Sequence, residues 1–590
     1  MMMASMRSTA ATRLMLVSTV MLLAAAGLAS AADPTLVLQT NNGPVKGNVH
    51  ANGVVTFHDI PFAEPPVGEL RFASPLALQH TWTDPIDCTS NTSLKMCPQA
   101  RLDYFQIVGT EDCLYLDIYM PPNALNSSTP LPVMFWIYGG GYMFGDKFEL
   151  GLYNGINLAL NNNAIIVAAN YRVNVFGFLA SSILKETDAL NSTGNFGLLD
   201  QRQALQWTRD NILHFNGNKN QITIFGESAG AFSVCFHLTS PASRGMFASA
   251  IMESGTCSST FFFQTLDNAL DFGALYASTF GCNATTQSAA DFLKCLRTTK
   301  AEDLMAGVLS WFGPDWPNHK NWPPTTTSDV PTEGFSATPL PAFAPVMPWG
   351  PVMDGSFHAL SDLPLNLITR GDFAKVPLIT GTNANEGVVF VPLGPLVDRG
   401  VTYPLTDAGF DSLMHHLFND TTAALVETHY PRKDYLTNDG RATRALTDFF
   451  FTCDARRTAR AFNDHNVTVH LYQYIYKDNF IDGKLLGDYH ASELYFVWDN
   501  QVPAVVHDFN EKDRLMAATF GTYWTNMPKV GSPNASWNNA TLNPTWPAYT
   551  RSNDLHMALN VPPATGTNLL QQKCDFWDSV QGGTVVSSMP

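Results

Sequence analysis

Gly226-Glu227-Ser228-Ala229-Gly230 is the stretch of this 590-residue chain with the clearest chemical content. It matches G-x-S-x-G, in which small flanking residues let the backbone make a strained strand-to-helix turn that exposes the serine oxygen. The bare pentapeptide says little, because composition alone would produce about 0.2 copies in a chain of this size. Its setting says more. The β-prone run Gln221-Ile-Thr-Ile-Phe225 ends directly at Gly226, and Ala231-Phe-Ser-Val-Cys-Phe-His-Leu238 continues as a helix whose N-terminus points at the serine. The competing reading is a glycine-rich turn with an incidental serine, and it leaves this strand-turn-helix context unexplained.

A serine hydroxyl is a weak nucleophile near neutral pH and needs an adjacent base, itself oriented by a carboxylate. Where G-x-S-x-G carries the nucleophile, the chain order is Ser, then Asp or Glu, then His. Eight histidines follow residue 400: His415, His416, His429, His465, His470, His490, His507 and His556. His490 stands out in Gly487-Asp-Tyr-His-Ala-Ser-Glu493, a predicted loop-to-helix junction soon after an expected strand at 469–476. His415 and His416 fall in a helical stretch and read as surface or packing residues. For the acid, Glu386 lies just beyond an expected strand at 376–380, the strand edge on which such sites are built. Spacing alone balances it evenly against a solvated loop glutamate. Gly139-Gly140-Gly141 closes another apolar run, where the missing Cβ atoms let N–H groups approach a developing negative charge; the N–H of Ala229 supplies a further donor. A glycine run also suits a tight turn or a phosphate cradle, but no G-x-x-x-x-G-K-[ST] accompanies it. This chemistry requires no metal and no organic cofactor.

The elements that must position these residues read as strand candidates at 35–39, 131–138, 164–170, 221–225, 248–252, 376–380 and 469–476, separated by helical patterns such as 199–215. That alternation predicts an α/β fold with a large, mostly parallel sheet flanked by helices, in one large domain rather than the four that length alone suggests. Hydrophobic residues make up 45% and charged residues only 14%, which excludes a disordered or coiled-coil chain. A net charge of −17 repels phosphate backbones and anionic membranes, so nucleic acid is a poor partner.

Residues 1–31 carry Arg7 and Arg13, an apolar run at 14–28 and Ala29-Ser30-Ala31, the pattern of a cleaved secretory signal. The run is short for a signal anchor, the alternative. A mature domain of 32–590, secreted and without stable membrane insertion, is the expectation. Nine cysteines in an oxidising compartment permit disulfides and leave at least one thiol unpaired. Sequons at Asn91, Asn126, Asn191, Asn283, Asn419, Asn466, Asn534 and Asn539 suit a glycoprotein with a weakly charged surface.

The chain resembles the type-B carboxylesterase and cholinesterase family of α/β-hydrolases from about residue 36 to residue 580. The likeness is carried by Phe57-His-Asp-Ile-Pro-Phe-Ala-Glu-Pro-Pro-Val-Gly-Glu-Leu-Arg-Phe72, Glu111-Asp-Cys-Leu-Tyr-Leu-Asp-Ile-Tyr119, Asn170-Tyr-Arg-Val173, Gly194-Asn-Phe-Gly-Leu-Leu-Asp-Gln-Arg202 and the serine motif. It implies Ser228 as nucleophile, Glu386 as acid and His490 as base, with Gly140, Gly141 and Ala229 as the oxyanion hole. It implies disulfides Cys97–Cys113, Cys282–Cys295 and Cys453–Cys574, leaving Cys88, Cys235 and Cys257 free, with Cys88 a competitor of Cys97 for Cys113. It also implies ion pairs Arg71–Glu111 and Arg172–Asp200, and supporting places for Glu227 and Ser254 near the site.

Two departures narrow the substrate. The loop between Cys97 and Cys113 is short and holds no tryptophan, whereas cholinesterases carry their choline-binding tryptophan there. Its shortness also tells against a lid for interfacial activation. The stretch 311–351 falls where relatives shape the acyl side of the pocket, and its aromatics (Trp311, Phe312, Trp316, Trp322, Trp349) either line the entrance or simply pack. The expectation is a serine carboxylesterase acting on a small-molecule carboxylic ester through an acyl-enzyme. Lipase or cholesterol esterase, cholinesterase and a non-catalytic adhesion-type relative are the alternatives.

Overall fold

Apolar runs with no polar alternation demand cover on both faces, and in this chain they become the middle of one sheet. The computed structural model describes residues 34–90, 95–101, 106–259, 262–310, 347–397, 401–478, 480–501, 508–534 and 544–581. The expected signal at 1–31, the sequons Asn91 and Asn539, His507, and Trp311, Phe312, Trp316 and Trp322 lie outside them.

Twelve strands form the path of the sheet: β1 (Thr35–Gln39), β2 (Pro44–Val49), β3 (Val55–Pro61), β4 (Tyr115–Met120), β5 (Leu131–Ile137), β6 (Ile165–Ala169), β7 (Gly217–Glu227), β8 (Ser249–Glu253), β9 (Leu378–Asn383), β10 (Val469–Tyr474), β11 (Leu555–Leu559) and β12 (Ala564–Thr567). Their spatial order is β1-β2-β3-β4-β6-β5-β7-β8-β9-β10-β11-β12. From β6 to β11 all neighbours are parallel. Along this path pairing at both margins is antiparallel, so the expected mostly parallel sheet has a parallel centre between antiparallel margins. The reason is connection length: the turns joining β1, β2 and β3 are too short for a helical crossover.

Helices α1 (Phe196–Asn211), α2 (Ala229–Thr239), α3 (Asn438–Thr447), α4 (Cys453–Asn463) and α5 (Glu511–Val530) frame the site. Both α2 and α5 pack on β5, β7 and β8. They therefore take opposite faces, and every residue of β5, β6 and β8 is buried. Helix α5 starts in a capping box, Asn510 with Asp513, and ends at Gly531 in the left-handed region.

Disulfides Cys97–Cys113, Cys282–Cys295 and Cys453–Cys574 form as the resemblance implies, and Cys88 stays a buried free thiol. One expectation is corrected: Cys235 and Cys257 are not free but joined to each other. The parallel sheet sets β7 beside β8, so the helix leaving one strand and the turn leaving the other meet, a proximity invisible in linear spacing. Arg172 grips Asp200 with Nε and Nη2 at 2.7 Å each, and Arg71 Nε reaches Glu111 Oε2 at 2.6 Å. Asn126, Asn191, Asn419, Asn466 and Asn534 are exposed, while Asn283 is half-buried. Trp349 packs against Phe272 and Tyr276 at ring distances of 4.9 and 5.3 Å, so of its two readings packing is the one observed. Among the described residues no helix is long and apolar enough to cross a membrane.

Candidate active site

β7 delivers Glu227 and then Ser228, which begins the turn into α2 with φ 54° and ψ −122°. That strained conformation is tolerated because the residues two places away on either side, 226 and 230, are glycines. A Cβ on Gly230 would lie 1.9 Å from the Ile137 carbonyl oxygen, and one on Gly226 would lie 2.6 Å from the Gly230 carbonyl carbon. The Ser228 N–H donates to the Glu253 carbonyl at 2.9 Å, tying the elbow to β8. Ala229 is the first residue of α2, so its N–H has no intrahelical acceptor and remains available to an anion. Gly140 and Gly141 follow β5 with φ of 104° and 61°, a left-handed path that glycine adopts without strain.

Beyond the C-terminal end of β9, Glu386 is fully buried and accepts from Ser254 Oγ at 2.6 Å and the Asn383 N–H at 2.7 Å through Oε1. Its Oε2 lies 2.6 Å from His490 Nδ1. The carboxylate therefore orients the ring and leaves Nε2 turned away from it. Phe390 and Phe451 each place a ring 5.1 Å from the imidazole and limit its rotation. Phe451 belongs to the π-helical turn Asp448–Thr452 between α3 and α4, a local widening typical of functional positions.

His490 Nε2 lies 3.2 Å from Glu227 Oε1, yet that oxygen has no hydrogen-bond partner, so proximity here comes without alignment. Burial first, and the charge of Glu386 second, push the Glu227 carboxyl well above the ordinary carboxylate range. We therefore read Glu227 as neutral in the resting site, not as an ion-pair partner. Among the described residues no hydrogen bond links the ring to Ser228 Oγ; such contacts commonly tighten only when substrate is bound.

Ser228, Ala229 and Gly141 open onto a narrow cavity. Its other walls are apolar, chiefly Phe232, Phe262, Met347, Phe390 and Phe451. Phe232 and Phe262 stack at 4.3 Å. These wall residues escaped sequence reading, because each arrives from a different segment. Equally unforeseen are two buried glutamates behind the serine. Glu253 accepts from Trp524 Nε1 at 2.8 Å, and Glu493 accepts from Asn383 Nδ2 at 2.5 Å. Burial above all pushes the Glu493 carboxyl up to about 8. Of the other histidines, His415 meets Asp420 at 3.0 Å on the surface, and His470 is buried against Trp546.

The profile of the carboxylesterase family matches residues 34–577. The chain belongs to the carboxylesterase family. This carboxylesterase is 29% identical to the "Crystal protein" of Dictyostelium discoideum over 564 residues, spanning 94% of its own length and 92% of that protein's. It is also 29% identical to "Acetylcholinesterase 1" of Caenorhabditis elegans over 565 residues, with 88% and 83% of the two chains covered. Among solved structures it is similar to a thermophilic PNB (para-nitrobenzyl) esterase, with a TM-score of 0.71 and 28% identity over 92% of this chain and 99% of that one. With esterases as its structural neighbours and an α/β-hydrolase fold, this carboxylesterase is a serine carboxylic ester hydrolase.

Proposed function

We propose that Ser228, Glu386 and His490 form the catalytic triad of a secreted esterase that works through an acyl-enzyme. His490 Nε2 takes the Ser228 proton as Oγ attacks the ester carbonyl, and returns it to the leaving alcohol. Glu386 steadies the imidazolium. The N–H groups of Gly140, Gly141 and Ala229 receive the oxyanion, and a water deprotonated by His490 then releases the acid. The observation that supports this assignment is the buried 2.6 Å contact between His490 Nδ1 and Glu386 Oε2 next to a strained serine at the cavity wall.

The apolar wall suits a small ester with an apolar acyl group, and the tryptophan-free loop at 97–113 tells against a cationic choline alcohol. Ser228→Ala is the direct test. It abolishes hydrolysis of short p-nitrophenyl esters while circular dichroism stays unchanged, and retained turnover refutes the assignment. Secretion and glycosylation rest on residues 1–31 and the sequons; N-terminal sequencing and deglycosylation of the protein from culture medium test both.

A further inference from the structure

We propose that the Cys235–Cys257 disulfide positions the acid side of the catalytic machinery by clamping the turn that bears Ser254 onto the helix that begins at the nucleophile; the inference rests on the triad reading above. Cys235 lies on α2, two turns beyond Ser228, and Cys257 lies three residues beyond Ser254. Both are buried. Between them the two segments already touch closely: a Cβ on Gly255 would meet Ala231 Cβ at 2.6 Å and the Ser228 carbonyl oxygen at 2.7 Å.

Ser254 itself sits at φ 52°, a conformation a serine does not hold without support. Its N–H donates to the Gly381 carbonyl at 2.9 Å, and its Oγ donates to Glu386 Oε1 at 2.6 Å. On the far side the Cys257 N–H donates to Thr458 Oγ1 at 3.1 Å, on α4. The turn is thus held from α4 on one side and covalently from α2 on the other. Ser254 Oγ acts on the site only through Glu386, so its placement, and hence that of the Glu386–His490 pair relative to Ser228, is set by a covalent link between the helix of the nucleophile and the turn of the acid. Catalytic groups need placement to about 0.5 Å, which a loop turn resting on hydrogen bonds alone holds poorly. Cys235 and Cys257 are positioning residues; neither touches the cavity.

The test uses the full-length secreted protein. Peptide mapping without reduction should recover Cys235 linked to Cys257, and recovery of both as free thiols overturns the proposal. Cys235→Ala/Cys257→Ala should fold, with kcat on a short p-nitrophenyl ester about tenfold lower and KM within about twofold, the loss expected when one buried hydrogen bond to a charged group is misplaced. Because a carboxylate relieved of one donor holds a protonated imidazole more strongly, the acidic limb of the kcat–pH profile should move to higher pH. A purely structural link would lower Tm and leave that limb in place. Ser254→Ala, with the disulfide intact, should move the limb the same way, and adding it to the double cysteine variant should cost little more. Additive losses, an unmoved limb in the cysteine variant, or an unmoved limb in Ser254→Ala overturn the proposal; the last comparison decides even if the cysteine variant does not fold. Failure of the triad reading shows separately, as turnover surviving in Ser228→Ala.

Discussion

His490 stands between two carboxyl groups, with Nδ1 2.6 Å from Glu386 Oε2 and Nε2 3.2 Å from Glu227 Oε1. The two differ because Glu386 accepts from Ser254 Oγ and the Asn383 N–H on its other oxygen, while burial, with the charge of Glu386, pushes the Glu227 carboxyl well above the ordinary carboxylate range. In the proposed mechanism the ring becomes positive, and a positive ring favours ionised Glu227. Glu227→Gln cannot respond in that way. It should leave Tm nearly unchanged and lower kcat about tenfold, close to 1.4 kcal/mol of transition-state stabilisation; steady-state kinetics beside thermal melts check both halves.

The glycines of the elbow give a steric prediction. Gly230→Ala drives a Cβ into the Ile137 carbonyl, where only backbone can move, so we expect a loss of about 3 kcal/mol or more in urea unfolding, and inactivity. Gly245→Ala is the control. Its φ is 77° and nothing lies within 4 Å of the new Cβ, so its cost should stay near the 1–2 kcal/mol of left-handed strain.

Glu493 makes stability depend on pH in a defined direction. Its carboxyl binds a proton more tightly folded (about 8) than at its ordinary value of 4.5, so the native state holds more protons across that window and loses stability as pH rises through it. Glu493→Gln should flatten the fall in Tm between about pH 4.5 and 8 and raise Tm at the upper end. A steeper fall in the variant contradicts the assignment.

Arg172 and Asp200 are both buried, and burial outweighs the pull of Arg172 enough to leave the Asp200 carboxyl above its ordinary range. The pair is therefore a structural requirement more than a source of net stability. Arg172→Met should cost about 3–5 kcal/mol, and adding Asp200→Leu should recover most of it; equilibrium denaturation of the two variants decides.

Local chemistry made much of this protein legible in its sequence. The serine turn needs small residues at 226 and 230, the apolar runs at 131–138 and 164–170 read as buried strands, and the glycines after β5 read as backbone access to a developing charge, with a tight turn as the alternative. Motif likeness carried the family, Glu386 and His490. What no one-dimensional pattern held is what parallel neighbours bring together. Strands β7 and β8 are adjacent only because β8 follows a helical crossover, and that adjacency pairs Cys235 with Cys257, while the pairing of β8 with β9 lays Ser254 on Glu386. The cavity wall is assembled from distant segments, and the raised carboxyls of Glu227 and Glu493 follow from desolvation, a property of everything packed around a group and not of the residues beside it in the chain.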